Sequence, residues 1–326
     1  MKQGIKITLT LLIPLVIGLT SCLKDVKSPT DPGGSNNVVE FQNSSIPVSY
    51  TSIYYQYANS VLFPSTGLDT GGFNVNVNYA GAVFAAPQDI TVTLAIDTAA
   101  LSAFNASESS NYIVAPTDVF SFPSTITIPK GQNLGQIRVT ITKAADFDFN
   151  AQYALPLTIT TSSYGIVSTN FGTVMYTYVG RNKYDGLYSL DQQQVGWGAY
   201  GISDGPTYTW PSNISFLTTG ATTNTINTTE EDYYQPAFTT GGGTTGFGAT
   251  QTQFVFDGAT DKLINVVNLQ PNDGRGRAFM LNPAITTSRY DATGSTPMIY
   301  AAYIMVQNGR PSQYFYDTLT YQGPRP

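Results

Sequence analysis

An all-β chain of two domains is predicted, and three observations carry the prediction. Apolar residues recur at every second position in segment after segment, as in "FNVNVNY", where Phe73, Val75, Val77 and Tyr79 share one face and Asn74, Asn76 and Asn78 the other. That period belongs to a strand with one buried face. A single stretch, "DTAALSAFNAS", has helical spacing. The chain has 326 residues, more than the roughly 100 that one sandwich needs. The expected architecture is an antiparallel β-sandwich over residues 38–180 followed by a second antiparallel β-barrel or sandwich over residues 181–326.

Ahead of both lies "LLIPLVIGLTSCLKD", Leu11 to Asp25, which holds the one cysteine of the chain. Lys2 and Lys6 precede an apolar run from Ile7 to Leu19, and small residues follow it. This order of charged, apolar and small residues is that of an export leader, read over residues 1–21. The run is shorter than the ~20 apolar residues of a membrane span and is broken by Pro14 and Gly18. "LTSC" resembles a bacterial lipobox, in which the leader is cut before the cysteine and the thiol takes lipid. Cys22 is then the lipidation site and the first mature residue. One cysteine forms no disulfide within the chain. Residues 22–37 run through "LKDVKSPTDPGGSNN", almost free of apolar residues and rich in Pro and Gly breakers, and read as a flexible tether.

In the first domain, "SIYYQYANS" reads as an early strand in which Tyr54, Tyr55 and Tyr57 pack core and edge. Four alternating strands follow: "FNVNVNY", "DITVTLAID" with Ile90, Val92, Leu94 and Ile96, "GQIRVTITK" with Ile137, Val139 and Ile141, and "YALPLTIT" with Tyr153, Leu155, Leu157 and Ile159. Pro156 marks the last as an edge strand or a bulge, because proline cannot donate to a ladder. Asp97 is placed to cap a short helix that buries Leu101 and Phe104, a crossover between strands. Turn signals such as "PKGQ" and "DTGG" have the spacing of a seven-stranded sandwich. "FGTVMYTYVG" ends the set, and polar "RNKYDG" puts the boundary near Gly180 to Lys183.

The second domain offers "NISFLTT", "TQTQFVFDG", "DKLINVVNL", "IYAAYIMVQNG" and "QYFYDTLTYQG" as strands. Asp257-Gly258 and Asn308-Gly309 suit the primed turns of hairpins. The Gly/Thr-rich "TTGGGTTGFG" reads as a mobile loop.

Composition narrows function. The formal net charge is −6, and loss of Lys2 and Lys6 with the leader makes the mature chain more acidic, so a nucleic-acid partner is excluded. Charged residues are only 11% of the chain; Thr, Asn, Gly, Ser and Tyr dominate, a neutral polar surface with rings that suits hydroxyl-rich ligands such as sugars. With no histidine, Ser-His-Asp and Cys-His catalysis and histidine-ligated zinc are excluded. Glycoside hydrolysis needs only two carboxylates about 5–9 Å apart, and Glu230, Glu231 and Asp232 in "TTEEDYYQP" form the densest acidic run, read as a solvated loop. "DFDFN" and "PNDGRGR" lack the full ligand loop of a calcium site and read as turns. No cofactor or metal is expected.

Ligand candidates gather in "VGWGAYGISDGPTYTW", which holds both tryptophans. Trp197, Tyr200, Tyr208 and Trp210, spaced by Gly, Ser, Asp and Pro, read as exposed rings that stack on a sugar face while Asp204 accepts its hydroxyl protons. The alternative is that Trp197 or Trp210 plugs one end of the barrel. Tyr233 and Tyr234 extend the platform, and Arg275 with Arg277 donates to hydroxyls or to an acidic sugar.

The lipobox cysteine, "NYIVAPTDVFSFPSTITIPKGQNLGQIRVTIT", "YALPLTIT", "KYDGLYSL" and the terminal "YDTLTYQGPRP" together resemble a family of Bacteroidetes cell-surface lipoproteins with an N-terminal Ig-like domain. The resemblance implies an Ig-like sandwich over residues 38–180. It also implies an outer-membrane lipoprotein facing the cell exterior, although "CLKD" offers only Asp25 as an acidic surface-export signal. The role implied is non-catalytic: glycan binding as an accessory to polysaccharide uptake, as in starch-utilisation systems, with polysaccharide or oligosaccharide and outer-membrane transporter components as partners. Similar N-terminal domains also precede glycosidase domains, whose barrels of about 250 residues exceed either domain here. Ile128-Pro129-Lys130-Gly131 and Leu155-Pro156-Leu157 are scaffold motifs and carry over no binding residues. A structural or adhesive lipoprotein that docks onto a protein partner without binding sugar is the competing expectation. Asp97-Thr98-Ala99 and Asp317-Thr318-Leu319 are similar to bacterial O-glycosylation motifs and equally read as a plain cap and strand.

Overall fold

The computed structural model describes residues 36–42, 54–64, 69–196, 198, 204–228, 232–248, 250–270 and 274–325. The leader, Cys22 and most of the tether lie outside the described residues, as do Trp197, Tyr200, Glu230 and Glu231. Among the described residues no helix is long and apolar enough to cross a membrane.

The first half contains β1 (Val38–Phe41), β2 (Tyr55–Phe63), β3 (Thr70–Ala80), β4 (Ile90–Ile96), α1 (Thr98–Glu108), β5 (Phe120–Ser121), β6 (Thr125–Ile128), β7 (Leu134–Thr142), β8 (Tyr153–Ser162), β9 (Ile166–Val167) and β10 (Thr173–Asn182). They form two five-stranded sheets, ordered β5-β7-β3-β1-β9 and β2-β10-β8-β4-β6. The sandwich is as expected in kind, but richer than the seven strands expected. β5, β6 and β9 are two to four residues long, too short to show a period in the sequence. The alternating faces meet in one core: Phe73, Val75, Val77 and Tyr79 of β3 pack with Ile90, Val92, Leu94, Leu155 and Leu157 of the other sheet.

The helix forms where its cap predicts. The Asp97 carboxylate accepts from the Ala100 amide at 2.9 Å, and Ala100, Leu101 and Phe104 are buried. This cap also explains Pro156, which is neither at an edge nor in a bulge: β8 is central, between β10 and β4. β4 pairs with β8 as far as Ile96↔Leu157, and then the chain turns into α1. The Asp97 amide donates to the Pro156 carbonyl at 3.0 Å, while the Asp97 carbonyl accepts from Leu101 at 3.2 Å. The helix thus takes the acceptor that the missing proline N–H would have needed. "DFDFN" is a packed corner, in which Phe147 and Phe149 meet Phe63 edge-on and the Asp148 carboxylate accepts from the Asn150 amide.

The second half contains β11 (Gly186–Val195), β12 (Thr207–Thr209), β13 (Ile214–Gly220), β14 (Thr223–Thr228), β15 (Pro236–Phe238), β16 (Thr244–Gly246), β17 (Thr252–Phe256), β18 (Leu263–Asn268), β19 (Ala278–Leu281), β20 (Arg289–Asp291), β21 (Met298–Val306) and β22 (Gln313–Gly323). One sheet runs β18-β17-β14-β13-β11-β22-β21-β19, with β12 paired to β11 and β20 to β21. Its ends approach each other: Lys262 bridges Arg289, and the Asn268 amide donates to the Arg277 carbonyl at 3.1 Å. The result is a nearly closed barrel, which leaves little open edge.

Three local expectations change. Between β17 and β18 the Asp257 carboxylate accepts from the Ala259 and Thr260 amides, and Asp261, not Gly258, takes the positive φ of 59°; the side-chain hydrogen bonds select a longer loop than a two-residue primed turn. In the β21–β22 hairpin Arg310 donates to the Gln307 carbonyl and Gly309 alone of the two central residues has positive φ, a type II arrangement. "TTGGGTTGFG" is a hairpin, with β16 pairing β15 from Pro236↔Gly246 to Phe238↔Thr244. At the start of the barrel Arg325 grips the buried Asp185 through two hydrogen bonds of 2.9 and 3.0 Å, and Asn182 at the end of β10 bonds across to Asn224.

Candidate ligand site on the barrel

Of the aromatic residues singled out in the sequence, Tyr208, Trp210 and Tyr233 come together, but as packing. Trp210 is only 2% exposed; its ring meets Phe238 at 5.4 Å and Tyr233 at 6.5 Å, and Tyr208 meets Phe238 at 5.3 Å. The glycine-rich hairpin makes this possible. A Cβ on Gly242 would lie 2.6 Å from the Tyr208 ring and one on Gly246 2.3 Å from the Tyr233 ring, so only glycine backbone fits beneath these rings. The expectation of exposed stacking rings is therefore corrected for Trp210, and the alternative of a core plug describes it. Burying an aromatic of 150–250 Å² at about 25 cal/mol/Å² outweighs a loop-like local composition.

The other candidates are dispersed. Asp204 is exposed and accepts from the Gly196 amide at 2.7 Å, which closes the base of the loop. Tyr234 is half-buried and its carbonyl accepts from Thr252. Asp232 sits at a positive φ of 54° and accepts from the Asn227 amide, a turn role. Trp197 and Tyr200 lie outside the described residues.

An open groove of about 260 Å³ instead lies on the outer face of the barrel, where Asp191, Gln193, Thr207, Tyr300, Tyr316 and Thr318 line it. Strand register builds it. Asp191 pairs with Thr209 and Thr318, Thr318 with Tyr300, and Tyr300 with Arg289. Two residues along, Gln193 pairs with Thr207 and Tyr316, and Tyr316 with Ala302. Residues two apart on a strand share a face, so these rungs form one surface, roughly 19 Å wide over five strands.

Asp191, Gln193 and Tyr316 are held. Thr209 donates to Asp191 at 2.5 Å, the Gln193 amide donates to the Gly205 carbonyl at 2.5 Å, and Asn282 donates to the Tyr316 phenol at 3.4 Å. The Arg289 guanidinium lies 5.2 Å over the Tyr300 ring and is paired with Asp291 at 2.7 Å. Carboxylate, amide, hydroxyl and phenol groups on one sheet face are able to accept from and donate to hydroxyl groups.

Behind this face the barrel interior is polar. Tyr303 donates to Asp317 at 2.8 Å and receives the Gln235 amide at 2.9 Å. Burial pushes the Asp317 carboxyl up to about 7, against the hydrogen bonds from Tyr303 and Gln192 that lower it. A perturbed carboxyl is a common sign of catalysis, yet Asp317 is 3% exposed and pairs with Gln192, on the opposite face from Asp191.

Asp191, Gln193, Tyr300, Tyr316 and Thr318 were missed in the sequence reading. Alternation in "YSLDQQQV" would have found the outward residues, but three successive glutamines hide the period, since Gln192 and Gln194 are buried and Gln193 is not.

Comparison with known proteins agrees with this fold. A family model for an N-terminal domain matches residues 42–165. No curated protein matches the chain. A Bacteroides ovatus protein of unknown function is 14% identical with a TM-score of 0.57, over 88% of this chain and 95% of that one. A second B. ovatus protein of unknown function is also 14% identical, with a TM-score of 0.48, over 87% and 94%. An auxiliary nutrient binding protein of Bacteroides thetaiotaomicron is 18% identical, with a TM-score of 0.46, over 86% and 94%. In fold the chain is similar to the first of these Bacteroides proteins, with a family-matched N-terminal domain ahead of a β-barrel.

Proposed function

We propose that this chain is a non-catalytic, lipid-anchored protein of the outer-membrane surface that binds glycan in the outer groove of the barrel and serves polysaccharide uptake, with the sandwich as spacer. The observation that carries the reading is the pair of register-locked rungs, Asp191-Thr318-Tyr300 and Gln193-Tyr316, which present a carboxylate, an amide, hydroxyls and aromatic rings with little conformational freedom left to lose on binding. The leader and "LTSC" support the anchor. Retention on a panel of polysaccharides in native gels tests the groove: Asp191→Ala with Tyr316→Ala should weaken binding about tenfold or more at unchanged thermal stability. Equal retention by the double variant on every polysaccharide would remove the groove from consideration. Cys22→Ala should abolish lipid labelling and release the protein from the membrane; persistent labelling would defeat the anchor.

The second reading, docking onto a protein partner, draws on Val83 and Phe84, which are 62% and 78% exposed between β3 and β4. In that case Phe84→Ser lowers partner capture and leaves glycan retention untouched.

A further inference from the structure

The two most exposed large apolar side chains among the described residues are neighbours, Phe84 at 78% and Val83 at 62%. They sit in "GAVFAAPQ", residues 81–88, a stretch without a charged residue between β3 and β4. Exposed apolar side chains that stand together mark a contact with a protein or a membrane. The loop that carries them is pinned on both sides. At its start the Tyr79 amide donates to the Asn133 carbonyl at 2.8 Å. Past the tip Ala86 packs into the sandwich core, its amide donating to the Gln132 carbonyl at 2.8 Å and its carbonyl accepting from the Gly131 amide at 2.9 Å. With Ala86 turned inward, Val83 and Phe84 are left outside.

The place where the chain enters the sandwich points to what covers them. Val38 pairs with Ala80 on one side and with Ile166 on the other, so the chain arriving from Cys22 joins β1 at the end from which the β3–β4 loop projects. Asn37 is clamped there. Its side chain accepts from the Tyr79 phenol at 2.7 Å and donates to the Tyr164 phenol at 3.1 Å, and its carbonyl accepts from the Ile166 amide at 2.8 Å. A Cβ on Gly81 would lie 2.7 Å from the Asn37 side chain, so the loop leaves the sheet against the clamped residue. Ile166, 54% exposed, stands at the same end. From Cys22 to Asn37 the chain advances 15 residues, a span of at most ~50 Å. The other end of β3 lies toward the barrel: a Cβ on Gly71 would meet the Val61 side chain at 2.3 Å, and the next residue, Leu62, pairs with Arg181 just ahead of β11. The 11 residues of β3 set the two ends roughly 35 Å apart.

We propose that Val83 and Phe84 seat in the lipid surface to which Cys22 is anchored, so that the sandwich stands on the membrane with the barrel at its far end. The inference rests on the anchor reading above and adds an oriented contact to it. Once the first attachment is made, the second is intramolecular and draws on a high effective concentration. Two apolar side chains that would hold a free protein only weakly at a bilayer are then enough to orient a tethered one.

The mature lipidated protein, reconstituted in phosphatidylcholine vesicles that carry doxyl groups on their acyl chains, tests this. Lipid occupies the thiol of Cys22, the one native cysteine, so Phe84→Cys supplies the single site for a thiol-reactive NBD probe. Ile264→Cys, 54% exposed on β18 of the barrel, is the reference position. At unchanged thermal unfolding, doxyl lipid should quench the probe at 84 at least about threefold more strongly than the probe at 264. Flotation of the same vesicles separates this inference from the reading beneath it. Protein that does not float overturns the anchor, and the lipid seat with it. Protein that floats with equal quenching at the two positions, weak or strong, overturns the seat and leaves the anchor standing. Weak quenching at 84 together with lowered capture of a protein partner by Phe84→Ser assigns the tip to that partner and overturns the seat as well.

Discussion

The sandwich closes over Val39, Val75, Val77, Ile90 and Val92, and of the buried polar side chains among the described residues only Lys143, Thr177 and, at the end of β10, Asn182 fall within it, whereas the barrel encloses Gln192, Gln194, Asn224, Gln235, Thr252 and Asp317 among its rings. An apolar interior depends on volume alone, so it holds its shape across pH and suits a spacer. A polar interior depends on each partner being present, because a buried donor or acceptor left alone costs about 1–3 kcal/mol. In the barrel those partners do positional work. Gln194 accepts from the Phe238 amide at 2.7 Å and donates to its carbonyl at 3.0 Å, standing in for a neighbouring strand and tying the β15–β16 hairpin to β11. The inner faces of β11, β21 and β22 carry the buried Gln192, Tyr303 and Asp317, the last two hydrogen-bonded to each other, while their outer faces carry the groove.

The largest test of this contrast is Trp210→Ala. Removing a buried tryptophan should cost about 3–5 kcal/mol, and the loss should appear as a lower urea midpoint for the barrel alone, with the sandwich transition unmoved. A joint shift of both transitions would show that the two interiors are not independent.

Next comes pH. The Asp317 carboxyl has an ordinary value of 3.8 and is raised to about 7 in the folded chain. Between those values the folded barrel keeps a proton that the unfolded chain has released, so stability should fall as pH rises from about 4 to 7, by up to roughly 4 kcal/mol, and level off on either side. Asp317→Asn should flatten the slope. A slope that survives in the asparagine variant would assign it elsewhere. Over the same range the sandwich has no buried carboxylate to titrate among the described residues and should stay level.

The smallest effect sharpens the sandwich side. Asp97→Ala removes the cap of α1 and should cost about 1 kcal/mol, read as a modest drop in the sandwich midpoint with no change in glycan retention. A loss of retention would mean that the spacer reaches the site.

Much of the sandwich was legible because its strands bury one face, and Phe73 to Tyr79 announce that face residue by residue. Pro156 was misread because the reason it is tolerated, a neighbouring strand that has already turned into a capped helix, lies 60 residues away. In the barrel the strands were found and the site was not. Trp210 has loop-like neighbours in sequence and a core environment in space, and the glycines that admit its aromatic partners, Gly242 and Gly246, come more than 30 residues later.

The sequence by itself determined the class of fold, the helix cap, the acidic and histidine-free chemistry and the expectation of an anchor at Cys22, because these follow from local period, local hydrogen bonding and composition. Only the tertiary structure decided which residues stand side by side on the outer face. Asp191, Thr318 and Tyr300 form one rung because strand register joins positions tens to more than a hundred residues apart. A period of two says that a residue faces outward; only the pairing says what stands beside it.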